Sequence, residues 1–284
     1  MTAPGIPPIL NASGCLDALT APRVAQRLDA FVTKTVTPLP RDGNPPPRIA
    51  ETECGMLNSI GLQNPGIDAF VRDNLPLLAA LGVPVWVSVG GFSADDYALV
   101  CTRLDECADV STIELNLSCP NVEEAAETAA ELVAAARRET RKPLYAKLSP
   151  ATWDVAESAR AVSSAGADGL SLVNTLRGLG FDRASGQPLL ARGAGGYSGP
   201  ALRPIALACV DACARAVALP IVGMGGVGSG RDVEDFVSAG AGSVALGTIL
   251  FSDPWAPDRI RSELEAVGSS EAEAVPGRVS ESVA

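Results

Sequence analysis

The stretch PVWVSVGGFSADDYALVCTRLDEC, residues 84–107, decides the fold. It opens with a short apolar run rich in valine, which predicts a buried strand over residues 84–91. The remainder has the spacing of an amphipathic helix over residues 93–107, with Ser93 as its N-cap. A strand followed at once by a helix is the repeating unit of a parallel sheet, so this stretch indicates an α/β fold.

The same alternation runs through the rest of the chain. Further strands are predicted at residues 112–118, 143–149, 169–174, 220–226 and 243–248. Further helices are predicted at residues 122–140, 153–166, 201–217, 231–240 and 254–266. The N-terminal part adds strands near residues 10–14 and 31–35 and helices near 16–29 and 66–81. About eight units fit, which predicts an α/β (β/α)₈ TIM barrel, although a doubly wound open sheet has the same periodicity.

Two segments depart from the alternation. Residues 39–66 are rich in Pro, Gly and Asn, and they predict a long ordered loop of the kind that is often functional. Residues 267–284 are polar and predict a disordered tail. A single barrel domain over residues 1–266 is therefore expected.

The composition excludes several kinds of chemistry. The 284 residues include no histidine, which rules out a Ser-His-Asp triad and His-ligated zinc or haem, so a general base must be Cys, Asp, Glu, Lys or Tyr. No metal site is predicted. The net charge of -11 argues against nucleic acid as a partner. No CxxC pair, signal-peptide pattern or long apolar run is present, so a cytoplasmic protein without a membrane span is expected.

Polar residues and glycines stand where the predicted strands end, which is where barrel enzymes carry their active sites. They are Asn116, Cys119, Lys147, Asn174, Thr175, Gly225, Gly226, Gly247 and Thr248. The glycines in GMGGVGSGRD and SVALGT lie between a strand and a helix, where bare N–H groups and the helix dipole can hold a phosphate. Tight turns without a ligand are the alternative for these glycines.

Several motifs together resemble those of class 1 dihydroorotate dehydrogenases. They are NLSCPN (116–121), KTVTPLPRDGNPPPR (34–48), MLNSIGLQNPG (56–66), YAKLSP (145–150), LVNT (172–175) and GGYSGPALRPIAL (195–207). The resemblance extends from about residue 9 to residue 253, and within class 1 it is closest to the catalytic subunit of the NAD-linked (B) type. It implies an FMN-dependent oxidoreductase that forms orotate from (S)-dihydroorotate in pyrimidine (UMP) biosynthesis. It also implies an iron–sulfur FAD electron-transfer subunit as partner and a homodimer core.

The resemblance carries roles onto particular positions. Cys119 matches the catalytic base. The positions that match flavin contacts are Ser13, Lys34, Thr35, Asn116, Lys147, Val173, Gly199, Gly225, Gly226, Gly247 and Thr248. The positions that match substrate contacts are Lys34, Asn58, Ser59, Ile60, Gly61, Leu62, Asn116, Asn174 and Thr175. Asn side chains offer both a donor and an acceptor, which suits the imide-like edge of orotate.

Two features depart from the family pattern. The helix predicted from residue 122 follows the NLSCPN motif directly, which implies a shortened lid over the substrate. Ser88 stands where many NAD-linked members have Asn, and a hydroxyl can still form a hydrogen bond. A dihydropyrimidine dehydrogenase-like flavoprotein with another substrate, and a flavin-free barrel that serves as a scaffold subunit, are the alternative interpretations.

Overall fold

A computed structural model describes residues 6–117 and 128–273, with side chains up to residue 266. Eight parallel strands form one sheet in the order β1-β12-β11-β8-β7-β6-β5-β2. These strands are β1 (Ile9–Asn11), β2 (Phe31–Val32), β5 (Val85–Val89), β6 (Val110–Asn116), β7 (Leu144–Leu148), β8 (Gly169–Leu172), β11 (Ile221–Met224) and β12 (Ser243–Leu246). The predicted α/β barrel is confirmed.

The first and last strands of this order meet, which closes the sheet and excludes the doubly wound alternative. Leu10 and Ala30 form a parallel bridge between β1 and β2. The buried Asn11 side chain adds to it, since its amide donates to Val32 O at 2.7 Å and accepts from Val32 N at 2.8 Å. An amide side chain thus pairs with a strand as a backbone would, at the place where the barrel closes.

Helices cover the outside of the barrel. The helices are α1 (Pro22–Ala25), α2 (Ile67–Ala69), a π-helix (Phe70–Asn74), α3 (Leu75–Ala79), α4 (Ala94–Asp105), α5 (Ala129–Glu139), α6 (Val155–Ser164), a 3₁₀-helix (Pro200–Leu202), α7 (Arg203–Ala216), α8 (Gly230–Ser238), α9 (Ile249–Ser252) and α10 (Ala256–Glu273). Ser93 caps α4 by accepting from Asp96 N, as predicted. No helix in the described ranges has both the length and the apolar character needed to span a membrane.

The strands separate two packed layers. Residues such as Ile113, Leu115, Ala146 and Leu170 face outward and pack under the helices. A smaller cluster inside the barrel contains Leu10, Val32, Val222, Met224 and Ala245, with Trp86 and Tyr145 beside it. The interior of the barrel is therefore filled by side chains, and a site is expected at the carboxyl ends of the strands.

A second sheet corrects the prediction of a long loop. Residues 39–66 contain the antiparallel strands β3 (Ile49–Thr52) and β4 (Gly55–Asn58), and β9 (Leu176–Gly178) and β10 (Gly195–Ser198) complete the order β3-β4-β10-β9. Each strand has only three or four residues, and β4 pairs with a strand about 140 positions later. A short strand with a distant partner leaves little periodicity in the sequence.

Three helix predictions also need correction. The helix predicted at residues 16–29 is reduced to Pro22–Ala25, because the residue before proline disfavours helical backbone and Ala21 has φ -126° and ψ 57°. The segment 66–81 divides into α2, the π-helix and α3. Helix α10 continues to Glu273, beyond the predicted end at residue 266.

Helix α5 begins at Ala129, not at residue 122. Thr128 forms a capping box with Glu131: the Thr128 hydroxyl accepts from Glu131 N, and the Glu131 carboxylate accepts from Thr128 N at 2.6 Å. Seven residues thus separate the NLSCPN motif from helix α5, and the predicted shortened lid falls on residues outside the described ranges.

Candidate active site

A cavity of about 790 Å³ lies at the carboxyl ends of the barrel strands. Its wall includes Asn116, Lys147 and Val173 from the barrel and Asn58 and Gly196 from the second sheet. The second sheet thus contributes one side of the site. A cavity of this size at this end of a barrel is typical of an enzyme that binds small molecules.

The predicted site residues come together in this one cavity. Those that line it are Ser13, Lys34, Thr35, Asn58, Ser59, Ile60, Gly61, Leu62, Asn116, Lys147, Val173, Asn174, Thr175, Gly199, Gly225, Gly226, Gly247 and Thr248. Cys119 lies outside the described residues. The positions thus share one wall, although they come from distant parts of the chain.

A chain of hydrogen bonds orients the amides on the wall. Asn116 Nδ2 donates to Thr35 Oγ1 at 3.2 Å, and Asn174 Nδ2 donates to Asn116 Oδ1 at 2.9 Å. Asn174 Oδ1 accepts from the Thr175 N–H at 2.8 Å, and Thr35 Oγ1 lies 3.0 Å from Ser88 Oγ. The Asn116 and Asn174 side chains each donate one of their two N–H groups to these described partners, so the second N–H group of each is available to a ligand.

Lys147 lies in the barrel interior beside the cavity. Its Nζ donates to Ser13 Oγ at 2.8 Å and lies 3.4 Å from Glu114 Oε1. The side chains of Lys147 and Glu114 are only 5% and 1% exposed. The sequence analysis did not single out Glu114, although a charged residue inside the apolar run of β6, on the same face as Asn116, is a detectable signal.

The described wall of the cavity is cationic. It includes Lys34, Lys147, Arg177 and Arg192, and it includes no Asp or Glu. Desolvation lowers the pKa of Lys34 below its ordinary value, Arg48 adds to that effect and Asp17 opposes it. A cationic wall in a chain of net charge -11 suits an anionic ligand.

The glycine turn after β11 approaches its neighbours too closely for a side chain. Gly225 and Gly226 have φ of +121° and +82°, and a Cβ on Gly226 would lie 2.9 Å from Gly199 O. The turn after β12 contributes Thr248, whose hydroxyl donates to Ser198 Oγ at 2.8 Å. Backbone is therefore exposed to the cavity at two adjacent strand ends.

At the first of these turns, two N–H groups at the start of α8 are already used by the protein's own side chains. Gly230 N, at the start of α8, donates to Glu263 Oε2 at 2.6 Å, and the Ser229 hydroxyl accepts from Asp232 N. Neither Ser229 nor Gly230 is on the cavity wall. The start of α8 is thus occupied by the protein's own side chains, and only the glycine turns face the cavity.

Cys15 is a cavity residue that the sequence analysis passed over. Burial raises the pKa of the Cys15 thiol, Lys147 opposes this effect and Glu114 adds to it. The thiol is therefore protonated at neutral pH and is a poor base. No sequence signal distinguishes Cys15 from the cysteines of the core.

The comparisons with known proteins show the family of this chain. The family model described as dihydroorotate dehydrogenase matches residues 6–267. A protein of Anoxybacillus flavithermus named dihydroorotate dehydrogenase B (NAD(+)), catalytic subunit, is 43% identical over 272 residues, which cover 92% of this chain and 86% of that protein. Proteins of the same name from Listeria monocytogenes serotype 4a (43% over 267 residues, 90% and 88% covered) and Pelobacter propionicus (46% over 247 residues, 84% and 81% covered) are also similar. The chain belongs to the dihydroorotate dehydrogenase family.

Proposed function

We propose that this chain is the catalytic subunit of an NAD-linked dihydroorotate dehydrogenase, an oxidoreductase that converts (S)-dihydroorotate to orotate in pyrimidine biosynthesis. The observation that carries the proposal is the cavity wall, which combines cations and oriented amides with exposed backbone and has no carboxylate among its described residues. The relatives named as dihydroorotate dehydrogenase B catalytic subunits support it.

The residues of the cavity fit FMN. Gly225, Gly226, Gly247 and Thr248 would hold its phosphate, because these two turns expose backbone to the cavity at adjacent strand ends. The proposed flavin contacts nearer the barrel axis and on the surrounding wall are Ser13, Lys34, Thr35, Asn116, Lys147, Val173 and Gly199. When bound, FMN supplies the acceptor for the hydride of the substrate.

The substrate would be held by amides and by Lys34. Asn116 and Asn174 are already oriented by their mutual hydrogen bond, and Asn58 Nδ2 donates to Gly196 O at 3.2 Å. Because these amides are already fixed, they would form hydrogen bonds with the imide edge of orotate with little loss of side-chain entropy. The Lys34 ammonium would pair with the carboxylate of the substrate. Thr175 and the segment Ser59, Ile60, Gly61 and Leu62 complete the proposed substrate pocket.

Cys119 is the proposed base. The described wall offers no Asp or Glu, and the Cys15 thiol has a raised pKa. Cys119 follows Asn116 by three residues, so covalent geometry keeps the two Cα atoms within about 11 Å. The Cys119 thiolate would take a proton from the carbon next to the one that gives up the hydride, and an ordinary thiol pKa of about 8.5 predicts faster reaction at alkaline pH.

The test follows the reductive half-reaction without oxygen. Dihydroorotate is added to the FMN-loaded protein, and the loss of flavin absorbance is timed between about pH 6 and about pH 9. We expect prompt bleaching that becomes faster as the pH rises. In Cys119→Ala we expect bound FMN and a rate lower by about 10²–10⁴-fold.

Cys54→Ala is the matched control, because Cys54 is an exposed free cysteine that does not line the cavity. Its bleaching rate should equal that of the unmodified protein. Normal bleaching in Cys119→Ala would refute the assignment of the base. A protein that stays colourless with added FMN would be a scaffold subunit, and bleaching by a dihydropyrimidine without a carboxylate, but not by dihydroorotate, would favour the dihydropyrimidine dehydrogenase-like alternative.

The proposal includes a cytoplasmic assembly with a second subunit. The printed names of the relatives describe a catalytic subunit and NAD(+), which supports a partner that carries electrons from FMN to NAD. The chain has no CxxC pair to ligate an iron–sulfur cluster, so the partner would carry the cluster together with FAD. Two copies of the present chain would form the core of the assembly.

A further inference from the structure

The Glu114 carboxylate is a buried charge for which the proposed reaction has no direct use. Its Oε1 lies 3.4 Å from Lys147 Nζ, and its side chain is 1% exposed. Its register partners on the two neighbouring strands are Ser88 and Tyr145, neither of which is a charged partner. A buried carboxylate in this position costs free energy that an uncharged side chain would not.

Stability alone does not explain the pair. Replacing a buried ion pair by apolar residues of similar volume is often neutral or stabilising, so such a pair is weak evidence for a structural role. Lys147, in contrast, also touches Ser13 on the cavity wall. The Glu114 carboxylate thus contacts Lys147, which provides the one buried ammonium on the described wall of the site.

We propose that Glu114 is a positioning residue, whose carboxylate supplies the counter-charge of Lys147 and directs its ammonium toward Ser13 and the cavity. This inference rests on the proposed function. An ammonium has three N–H groups, and two of them are used by Ser13 and Glu114, so one is available to a ligand. The ammonium would stabilise negative charge on reduced FMN more than it stabilises neutral, oxidised FMN.

Removing the carboxylate has a consequence that can be measured. In Glu114→Gln the Lys147 ammonium would lack its described counter-charge, so that carboxylate would no longer hold it toward Ser13 and the cavity. An ammonium that lies farther from the flavin stabilises its negative charge less. The affinity of the protein for reduced FMN should therefore fall relative to its affinity for oxidised FMN.

The experiment measures the ratio of these two affinities from the flavin midpoint potential. The proteins are the unmodified chain, Glu114→Gln, Lys147→Met and the double variant. We expect the ratio to fall about ten-fold or more in Glu114→Gln, which equals about 30 mV for a two-electron couple. Once Lys147 is Met, adding Glu114→Gln should change the ratio less than about two-fold, because Glu114 acts through Lys147. In Glu114→Asp, which keeps the negative charge, the ratio should fall less than in Glu114→Gln.

The matched control is Glu106→Gln, the same substitution at an exposed ion pair with Arg103, and it should leave the ratio unchanged. A rise of the ratio in Glu114→Gln, no change, or an equal change in both backgrounds would overturn the proposal. Urea unfolding of the same four full-length proteins without FMN tests the coupling separately. If the chain binds no FMN, the proposed function has failed. In that case, if the changes in the free energy of unfolding caused by the two single substitutions add up to that of the double variant, the coupling between Glu114 and Lys147 would be overturned as well.

Discussion

Lys34 is a cavity residue whose surroundings lower the pKa of its ammonium. Its side chain is exposed within the open cavity, yet nearby protein atoms remove part of the water around the ammonium. This desolvation, together with Arg48, lowers the pKa of Lys34 below the ordinary lysine value, against the effect of Asp17. As the pH rises, the positive charge of Lys34 is therefore lost at a lower pH than that of an ordinary lysine.

Orotate binding should follow this titration. An anion binds to the protonated amine, so we expect the affinity for orotate to fall about ten-fold as the pH rises through the pKa of Lys34 in the free protein. The dissociation constant is measured from the flavin spectrum in the Cys119→Ala background, where no thiolate forms at that position. The same series in Lys34→Met should show weak binding without this alkaline loss; an unchanged alkaline loss in Lys34→Met would show that another group titrates.

Residues of the site differ in how far the sequence reveals them. Asn116, Lys147 and Asn174 stand at strand ends and belong to recognisable motifs, so their place on one wall could be predicted. Asn11 and Glu114 lie within strands, and their contacts with Val32 and Lys147 depend on strand order and register. The predicted barrel implies that consecutive strands are neighbours, but sequence spacing does not give the register between them.

Among the elements, the turn between β11 and α8 is one of the tightly constrained parts of the site. Gly226 has a positive φ, and a Cβ there would meet Gly199 O and Arg203 Cβ at 2.9 Å each. An alanine would have to displace backbone or helix α7, which begins at Arg203. Strain of this kind costs about 1–3 kcal/mol.

Gly226→Ala should therefore weaken FMN binding about ten-fold or more, because the turn that would hold the phosphate must shift. The measurement is the FMN dissociation constant of the protein after removal of its flavin. Gly242→Ala is the matched control, since Gly242 has no positive φ and no heavy atom within 4 Å of an added Cβ. Equal FMN affinity in both variants would contradict the proposed role of the turn.

Some of the helices and strands can be predicted from local sequence alone. Helix α4 and strands β5 to β8 were predictable because each carries its own periodicity and, for α4, its own cap at Ser93. The start of α5 at Ala129 was missed although Thr128 and Glu131 form a capping box, because the preceding acidic residues continue the helical pattern. Strands β3, β4, β9 and β10 were missed because the pairing between distant segments determines them.

At the scale of the whole molecule, charge is divided between the surface and the cavity. The chain has a net charge of -11, whereas the described cavity wall carries Lys34, Lys147, Arg177 and Arg192 without a carboxylate. At about 0.1 M salt the Debye length is about 10 Å, so an approaching anion near the cavity responds mainly to the wall. The cavity would attract dihydroorotate although the protein as a whole is acidic.

Raising the salt concentration from about 0.1 M to about 0.5 M should therefore lower kcat/KM for dihydroorotate about two- to three-fold. Stopped-flow measurement of flavin bleaching at limiting dihydroorotate gives this quantity. In a variant with Arg177→Gln and Arg192→Gln, kcat/KM should be lower at about 0.1 M salt and should fall less when the salt concentration rises. A steeper salt response in that variant would contradict steering by the two arginines.

The cavity is complete only after the barrel has closed between β1 and β2 and β12 has paired with β1. Its described wall draws on residues from Ala12 to Ser252, so almost the entire chain must leave the ribosome before the wall is complete. Contacts between such distant segments also form slowly during folding. A nascent chain consequently lacks the complete cavity, and loading of the proposed flavin would be a step that follows synthesis of these residues.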